Sequence, residues 1–176
     1  MYFRTLLMII ACCFVGNLSA TEKDGSYNLY LIRHAEKYQD GRQDPGLTKY
    51  GIGRAELLAD LLADKDIKDV WSSDYKRTRE TAEPLLSLLA LEMSIYDARD
   101  LPVLAEKLMN RQNNAVVVGH SNTTPELARL LCQCDIDDMD DSEYDRLIVV
   151  SVTETGVQVE TFRQRNPPKP WPTIAR

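Results

Sequence analysis

Positive charge is in short supply in this chain. Its 176 residues carry 21 Lys and Arg against 27 Asp and Glu, a formal net charge of −6. That balance makes nucleic acid a poor partner and favours a surface that stays in solution. Beyond the first 20 residues there is no long apolar run, so no later segment reaches the roughly 20 apolar residues that a membrane-spanning helix needs. Histidine occurs twice, at His34 and His120, and cysteine four times. Two of the cysteines, Cys12 and Cys13, sit in the apolar start of the chain; the other two, Cys132 and Cys134, are one residue apart with neither histidine near them in sequence. Two thiolates alone do not make a zinc site. So small a ring disfavours a disulfide, and capped thiols are the expectation, with a disulfide as the alternative. No internal repeat and no interdomain linker is visible.

The first 20 residues, MYFRTLLMIIACCFVGNLSA, place Arg4 before an apolar core, Leu6 to Val15, that ends in small residues. This reads as a secretory signal peptide cleaved after Ala20, which predicts a periplasmic or secreted protein. A second reading stays open, since Ile9-Ile10-Ala11-Cys12 resembles a bacterial lipoprotein cleavage box that would leave Cys12 lipidated and the protein anchored to a membrane. Oligomeric state is not readable. Residues 21–165 are long enough for one core and hence one domain. The tail 166–176, with four prolines, reads as extended surface chain.

Continuous apolar runs at Leu29–Ile32 and Ala115–Val118 predict strands buried on both faces. Val70-Trp71-Ser72 and Met93–Tyr96 add two shorter strands. Between them, Gly51–Ala63, Arg77–Leu91 and Leu101–Met109 have apolar residues at helical spacing, and Pro84 is expected to kink or restart the second helix. Thr123-Thr124-Pro125-Glu126 is a capping pattern for a fourth helix, Thr124–Cys132. Arg146–Val152 and Val157–Phe162, separated by Gly156, predict a β-hairpin. The alternation implies a three-layer α/β/α sandwich with a mostly parallel sheet and a C-terminal hairpin.

In such sheets ligands gather beyond the carboxyl ends of the strands, where both histidines sit. Arg33 precedes His34, and Arg77 opens the helix after VWSS; Arg79, two residues on, faces roughly the opposite side. Guanidinium forks match phosphate oxygens and stay charged. Two arginines and two histidines at strand ends therefore predict an anion site. The acidic run DIDDMDDSEYD, Asp135–Asp145, lacks the turn glycine of a calcium loop and has Met139 at a ligand position, so a solvated loop is expected.

These residues together resemble the histidine phosphatase, or phosphoglycerate mutase-like, superfamily. Arg33-His34-Ala35-Glu36 is similar to its Arg-His-Gly-Glu motif, and Leu47-Thr48 with Gly51 to Leu-Thr-x-x-Gly. Ser72-Ser73 through Arg77 to Thr81-Ala82, and Gly119-His120-Ser121-Asn122, complete the family's order. The resemblance implies a phosphomonoesterase without metal or cofactor, acting on a small phosphorylated substrate. His34 would attack phosphorus through a neutral ring nitrogen. Arg33, Arg77 and His120 would hold the non-bridging oxygens, Asn122 and Lys37 would contact substrate, and the amino end of the helix after His120 would add backbone donors. It also implies a carboxylate proton donor from the segment after the third strand, Asp100 by offset with Asp97 next, although some small members lack one. Ala35 and Lys37 depart from the family's usual glycine and serine or threonine. Two alternatives stay open: a non-catalytic module that binds phosphorylated ligands, and a protein-phosphohistidine phosphatase.

Overall fold

The computed structural model describes residues 25–167; the leader with Cys12, and the tail from residue 168, lie outside them. The chain runs β1 (Tyr27–Arg33), α1 (Lys49–Leu62), β2 (Asp69–Ser73), α2 (Lys76–Leu89), β3 (Met93–Tyr96), α3 (Leu101–Arg111), β4 (Ala115–Gly119), α4 (Thr123–Cys132), β5 (Arg146–Thr153) and β6 (Gly156–Arg163). One six-stranded sheet has the order β3-β2-β4-β1-β5-β6. β3, β2, β4 and β1 are mutually parallel, β5 is antiparallel to β1, and β6 is antiparallel to β5.

The alternation of side chains along the strands divides the core in two. Leu29, Leu31, Ala115 and Val117 pack with Leu104 and Leu108 of α3 and Leu127 and Leu131 of α4. On the other face Tyr30, Ile32, Val116 and Val118 pack with Leu58 and Leu62 of α1 and Leu85 of α2. Strands apolar at every position are what a sheet covered on both faces requires.

Helix ends follow local chemistry. Thr48 caps α1, its Oγ1 accepting from the Gly51 N–H at 3.0 Å. Asp100 caps α3 by accepting from the Val103 N–H at 3.4 Å. α2 runs unbroken through Pro84, so the expected kink does not divide it. Its buried residues, Thr78, Thr81, Ala82 and Leu85, flank the proline on the packed face, and packing outweighs one lost backbone bond. The expected threonine cap of α4 is also different: Asn122 is the capping residue, and Thr123 Oγ1 instead accepts from the His120 N–H at 2.9 Å.

Two expectations about chemistry change. Cys132 and Cys134 form a disulfide rather than two thiols. Gln133 at the end of α4 adopts the left-handed conformation, φ 54° and ψ 38°, which turns the chain back and brings the two Cα atoms to 5.2 Å. The acidic run is not merely solvated. Arg129 donates to the Ile136 carbonyl, Arg146 to those of Asp137 and Asp138, and Met139 is buried. At the start of the tail, Arg54 Nη2 donates to Asn166 Oδ1 at 3.0 Å.

The loop after β1 is clamped onto α1. Glu36 takes a partly buried, forked pair of bonds from Arg54, Nη2 to Oε1 at 2.6 Å and Nε to Oε2 at 2.9 Å. The Thr48 N–H donates to the Glu36 carbonyl at 2.8 Å. α1 approaches so closely that a Cβ on Gly51 would stand 2.3 Å from that carbonyl oxygen. Gly51→Ala is expected to destabilise the fold by about 1–3 kcal/mol through forced backbone movement. Gly25→Ala, with nothing within 4 Å, is the control. A lowered urea midpoint for the first and an unchanged one for the second is the expected result.

Candidate active site

The β1–β4 register sets Arg33 opposite Gly119, so His34 and His120 leave adjacent strands side by side. The ladder continues one step further, with the His34 N–H donating to the Gly119 carbonyl at 2.9 Å. The two imidazole centroids are 5.5 Å apart. α2 brings Arg77 to the same place, its Nη2 3.4 Å from His120 Nδ1. A cavity of about 390 Å³ opens here, with Arg33, His34, Arg77 and His120 in its wall. Lys37 and Asn122 also line it. The structure thus brings together six of the residues singled out in the sequence.

Hydrogen bonds fix the imidazole tautomers. His34 Nδ1 lies 2.8 Å from the Ala35 carbonyl oxygen, which can only accept, so Nδ1 carries the proton and Nε2 the lone pair. The guanidinium of Arg77 can only donate, so His120 Nδ1 accepts and Nε2 carries the proton, donating to Ser73 Oγ at 2.9 Å. Ser73 Oγ passes on to Thr78 Oγ1 at 3.1 Å, and Thr78 to the Ser73 carbonyl at 2.8 Å. Ser73 and Thr78 therefore hold the ring that the sequence pointed to. Thr81 ties the nucleophile loop to α2: its Oγ1 accepts from the Ala35 N–H at 2.9 Å and donates to the Arg77 carbonyl at 2.7 Å.

His34 is only 2% exposed. Burial holds its pKa down at about 3, and the charges of Arg33, Arg77 and His120 push the same way against its bond to Ala35. Burial, then Arg77 and Arg33, hold His120 at about 4. Both rings are neutral at pH 7. Burial also lowers the Arg77 pKa, opposed chiefly by Asp44.

Arg33, 4% exposed, is braced from behind. Its Nη1 donates to the carbonyls of Asp140 and Glu143, each at 3.0 Å, and its guanidinium lies 4.2 Å from the Tyr144 ring centroid. Arg77 lies 4.4 Å from the Tyr75 ring centroid and 3.5 Å from Asp44 Oδ1. Asp44 also accepts from the Lys76 N–H at the start of α2. The Nε atoms of both arginines are buried without a protein partner among the described residues. Buried donors of that kind are costly unless something accepts from them, and an anion's oxygens can do so. Ser121, Asn122 and Thr123, at the amino end of α4, complete that side of the wall. Arg79 is turned away and pairs with Asp74.

The candidate proton donors sit elsewhere. Asp100 is exposed and occupied as the cap of α3, and Asp97 is held by Arg99, Nη2 to Oδ2 at 3.0 Å. Neither lines the cavity, although Ala98 and Arg99 between them do. The carboxylate that does line it is Asp141, from the run that the sequence assigned to plain solvent. Charge spacing alone gave no signal of this, because Arg33 and Asp141 are 108 positions apart. Among the described residues no cluster of three or more His, Cys, Asp or Glu side chains is arranged to hold a metal ion.

Residues 29–101 match the family model of the histidine phosphatase superfamily, branch 1. Human 6-phosphofructo-2-kinase/fructose-2,6-bisphosphatase 4 is 45% identical over 64 residues, a stretch that is 33% of this chain and 14% of that protein. Among solved structures, the protein histidine phosphatase SixA complexed with tungstate superposes with a TM-score of 0.65 at 19% identity, over 77% of this chain and 96% of that one. Mycobacterial glucosyl-3-phosphoglycerate phosphatase Rv2419c gives 0.62 at 14% identity, over 80% and 99%.

The depressed imidazole pKa values predict a pH dependence of stability. Above pH 6.5 neither the folded nor the unfolded protein holds these protons, so nothing is lost. Between pH 6.5 and about 4 the unfolded chain binds protons that folded His120 refuses, so stability falls as pH falls. His120→Gln removes this contribution, and its thermal midpoint is expected to decline less steeply than the wild type over that window. Parallel declines would contradict the burial argument.

Proposed function

We propose, for a chain that belongs to the histidine phosphatase superfamily, a metal-independent phosphomonoesterase that forms a covalent phosphohistidine on His34. The observation that carries this reading is the pairing of a neutral imidazole, whose Nε2 lone pair is left over once Nδ1–H is tied to Ala35, with two guanidiniums in one cavity. In the first step Nε2 forms a bond to phosphorus as the bond to the leaving oxygen breaks. Arg33 and Arg77 hold the non-bridging oxygens and match the charge spread over them in the transition state. The bound dianion also favours protonation of His120, whose Nδ1 then donates to phosphate alongside Arg77. Water completes the cycle by displacing His34 from phosphorus.

Asn122 and Lys37 contact the substrate at the mouth in this reading. The mouth is left open because only four residues, 97–100, join β3 to α3. That shortness favours a second reading, in which the phosphoryl group arrives on a protein side chain, as the name of the SixA neighbour suggests for that protein. We place the protein outside the cytoplasm on the signal-peptide reading of residues 1–20, a reading that the Cys132–Cys134 disulfide supports because such a bond fits an oxidising compartment.

Hydrolysis of p-nitrophenyl phosphate tests the reading. His34→Ala is expected to lose at least about 10³-fold in kcat, and equal nonzero rates for the two proteins would remove His34 from the mechanism. Phosphate binding without turnover on any substrate would indicate a binding module. Arg77→Lys keeps the charge but loses the fork, and a fall in kcat/KM of about 10²-fold is expected; an unchanged value would take Arg77 out of transition-state stabilisation.

A further inference from the structure

Hydrolysis of a phosphohistidine needs an acceptor for a proton of the attacking water. The residues already assigned cannot supply one. His34 Nε2 is bonded to phosphorus at that point, the arginines have no acceptor, and His120, its Nε2–H donating to Ser73 and its protonated Nδ1 donating to phosphate, has no free lone pair. Asp97 lines only the adjoining cavity beyond Tyr75, Ala98 and Arg99, with its carboxylate held by Arg99, and Asp100 lines neither. Among its lining residues the one carboxylate is Asp141.

Asp141 is a held group on an anchored loop. Its backbone lies between the two carbonyls that bind Arg33 Nη1, those of Asp140 and Glu143. Ser142 closes a turn on Asp140, its N–H donating to Oδ1 at 2.7 Å, and Arg146 grips the same loop through the Glu143 carboxylate, Nε to Oε1 at 2.7 Å. The Asp141 carboxylate accepts from Ser121 Oγ at 2.7 Å and stands 3.6 Å from Arg33 Nη2. Its side chain is 91% exposed. It therefore meets both requirements of a base in this step: water reaches it, and the Ser121 hydrogen bond holds it next to the guanidinium of Arg33, beside the oxygens that Arg33 would hold.

We propose that Asp141 is the general base of the hydrolytic half-reaction, an inference that rests on the phosphohistidine reading above. Water oxygen forms its bond to phosphorus as the Nε2–phosphorus bond breaks. The electron pair of that bond returns to His34, one proton of the water passes to an Asp141 carboxylate oxygen, and inorganic phosphate departs. The same proton, handed to the leaving oxygen of the next alkyl ester, closes the cycle. Ser121 is a positioning residue for the carboxylate.

Rapid-quench kinetics with p-nitrophenyl phosphate separate the two half-reactions, since p-nitrophenolate leaves without needing a proton. Asp141→Asn is expected to keep a first turnover close to wild type, then to turn over about 10²-fold more slowly while phosphohistidine builds up towards one per chain. Ser121→Ala is expected to show a smaller change of the same kind. Asp141→Asn with an unchanged steady-state rate, or with a slowed first turnover and a raised KM but no accumulated phosphohistidine, overturns the assignment; the latter pattern makes Asp141 a brace for Arg33. Absence of phosphohistidine in the quenched wild type as well as the variants would instead sink the covalent reading itself, and this inference with it.

Discussion

Two guanidiniums and two largely buried imidazoles share one cavity wall, and the charge state of the site follows from the burial of those rings beside fixed positive charge. Burial keeps either ring from taking up a proton at neutral pH, and the arginines, which cannot shed theirs, add to the effect. A neutral ring is a nucleophile, whereas an imidazolium is not. The electrostatics that ready the cavity for a dianion thus also keep His34 able to attack. The cost is carried by the surroundings, which offer Arg33 two carbonyls and a tyrosine face, and Arg77 a tyrosine face and Asp44.

The fold's part is to bring distant segments together without slack. Register between β1 and β4 sets the separation of the two rings, and the β2–α2 corner delivers Arg77 to the same edge. No residue of α1 lines the cavity, yet the helix fixes the loop that carries His34. Arg54, itself buried, forks onto the partly buried Glu36, so removing Glu36 would leave a buried guanidinium without its main acceptor. Gly51 lets the helix backbone sit against the Glu36 carbonyl. The Leu47-Thr48-x-x-Gly51 element is thereby explained as a mount for the nucleophile loop, with no role at phosphorus.

Much of this was legible in the chain itself. Apolar runs at Leu29–Ile32 and Ala115–Val118 located the central strands, because a strand covered on both faces must be apolar throughout. The placement of His34, His120, Arg33 and Arg77 at strand ends located the cavity. What the sequence did not disclose depends on contacts between distant segments. The stretch Asp135–Asp145 looks like solvent-facing acid, and only the three-dimensional arrangement shows its carbonyls turned onto Arg33, Arg129 and Arg146 and its Asp141 at the cavity wall. The offset from Arg77 that suggested Asp100 carried no knowledge of the short turn that makes it a helix cap instead. Cys132 and Cys134 join because Gln133 adopts a left-handed conformation, a backbone choice invisible in composition.

The central claim is that the cavity keeps both imidazoles uncharged and fixes opposite tautomers in them. Nitrogen-15 NMR of the two ring systems, titrated with acid in the absence of phosphate, tests it most directly. The account predicts that His34 shows a protonated Nδ1 and an unprotonated Nε2, that His120 shows the reverse, and that the rings titrate only near pH 3 and 4 respectively. Titration of either ring near 6.5, the ordinary value for a solvated histidine, would contradict it.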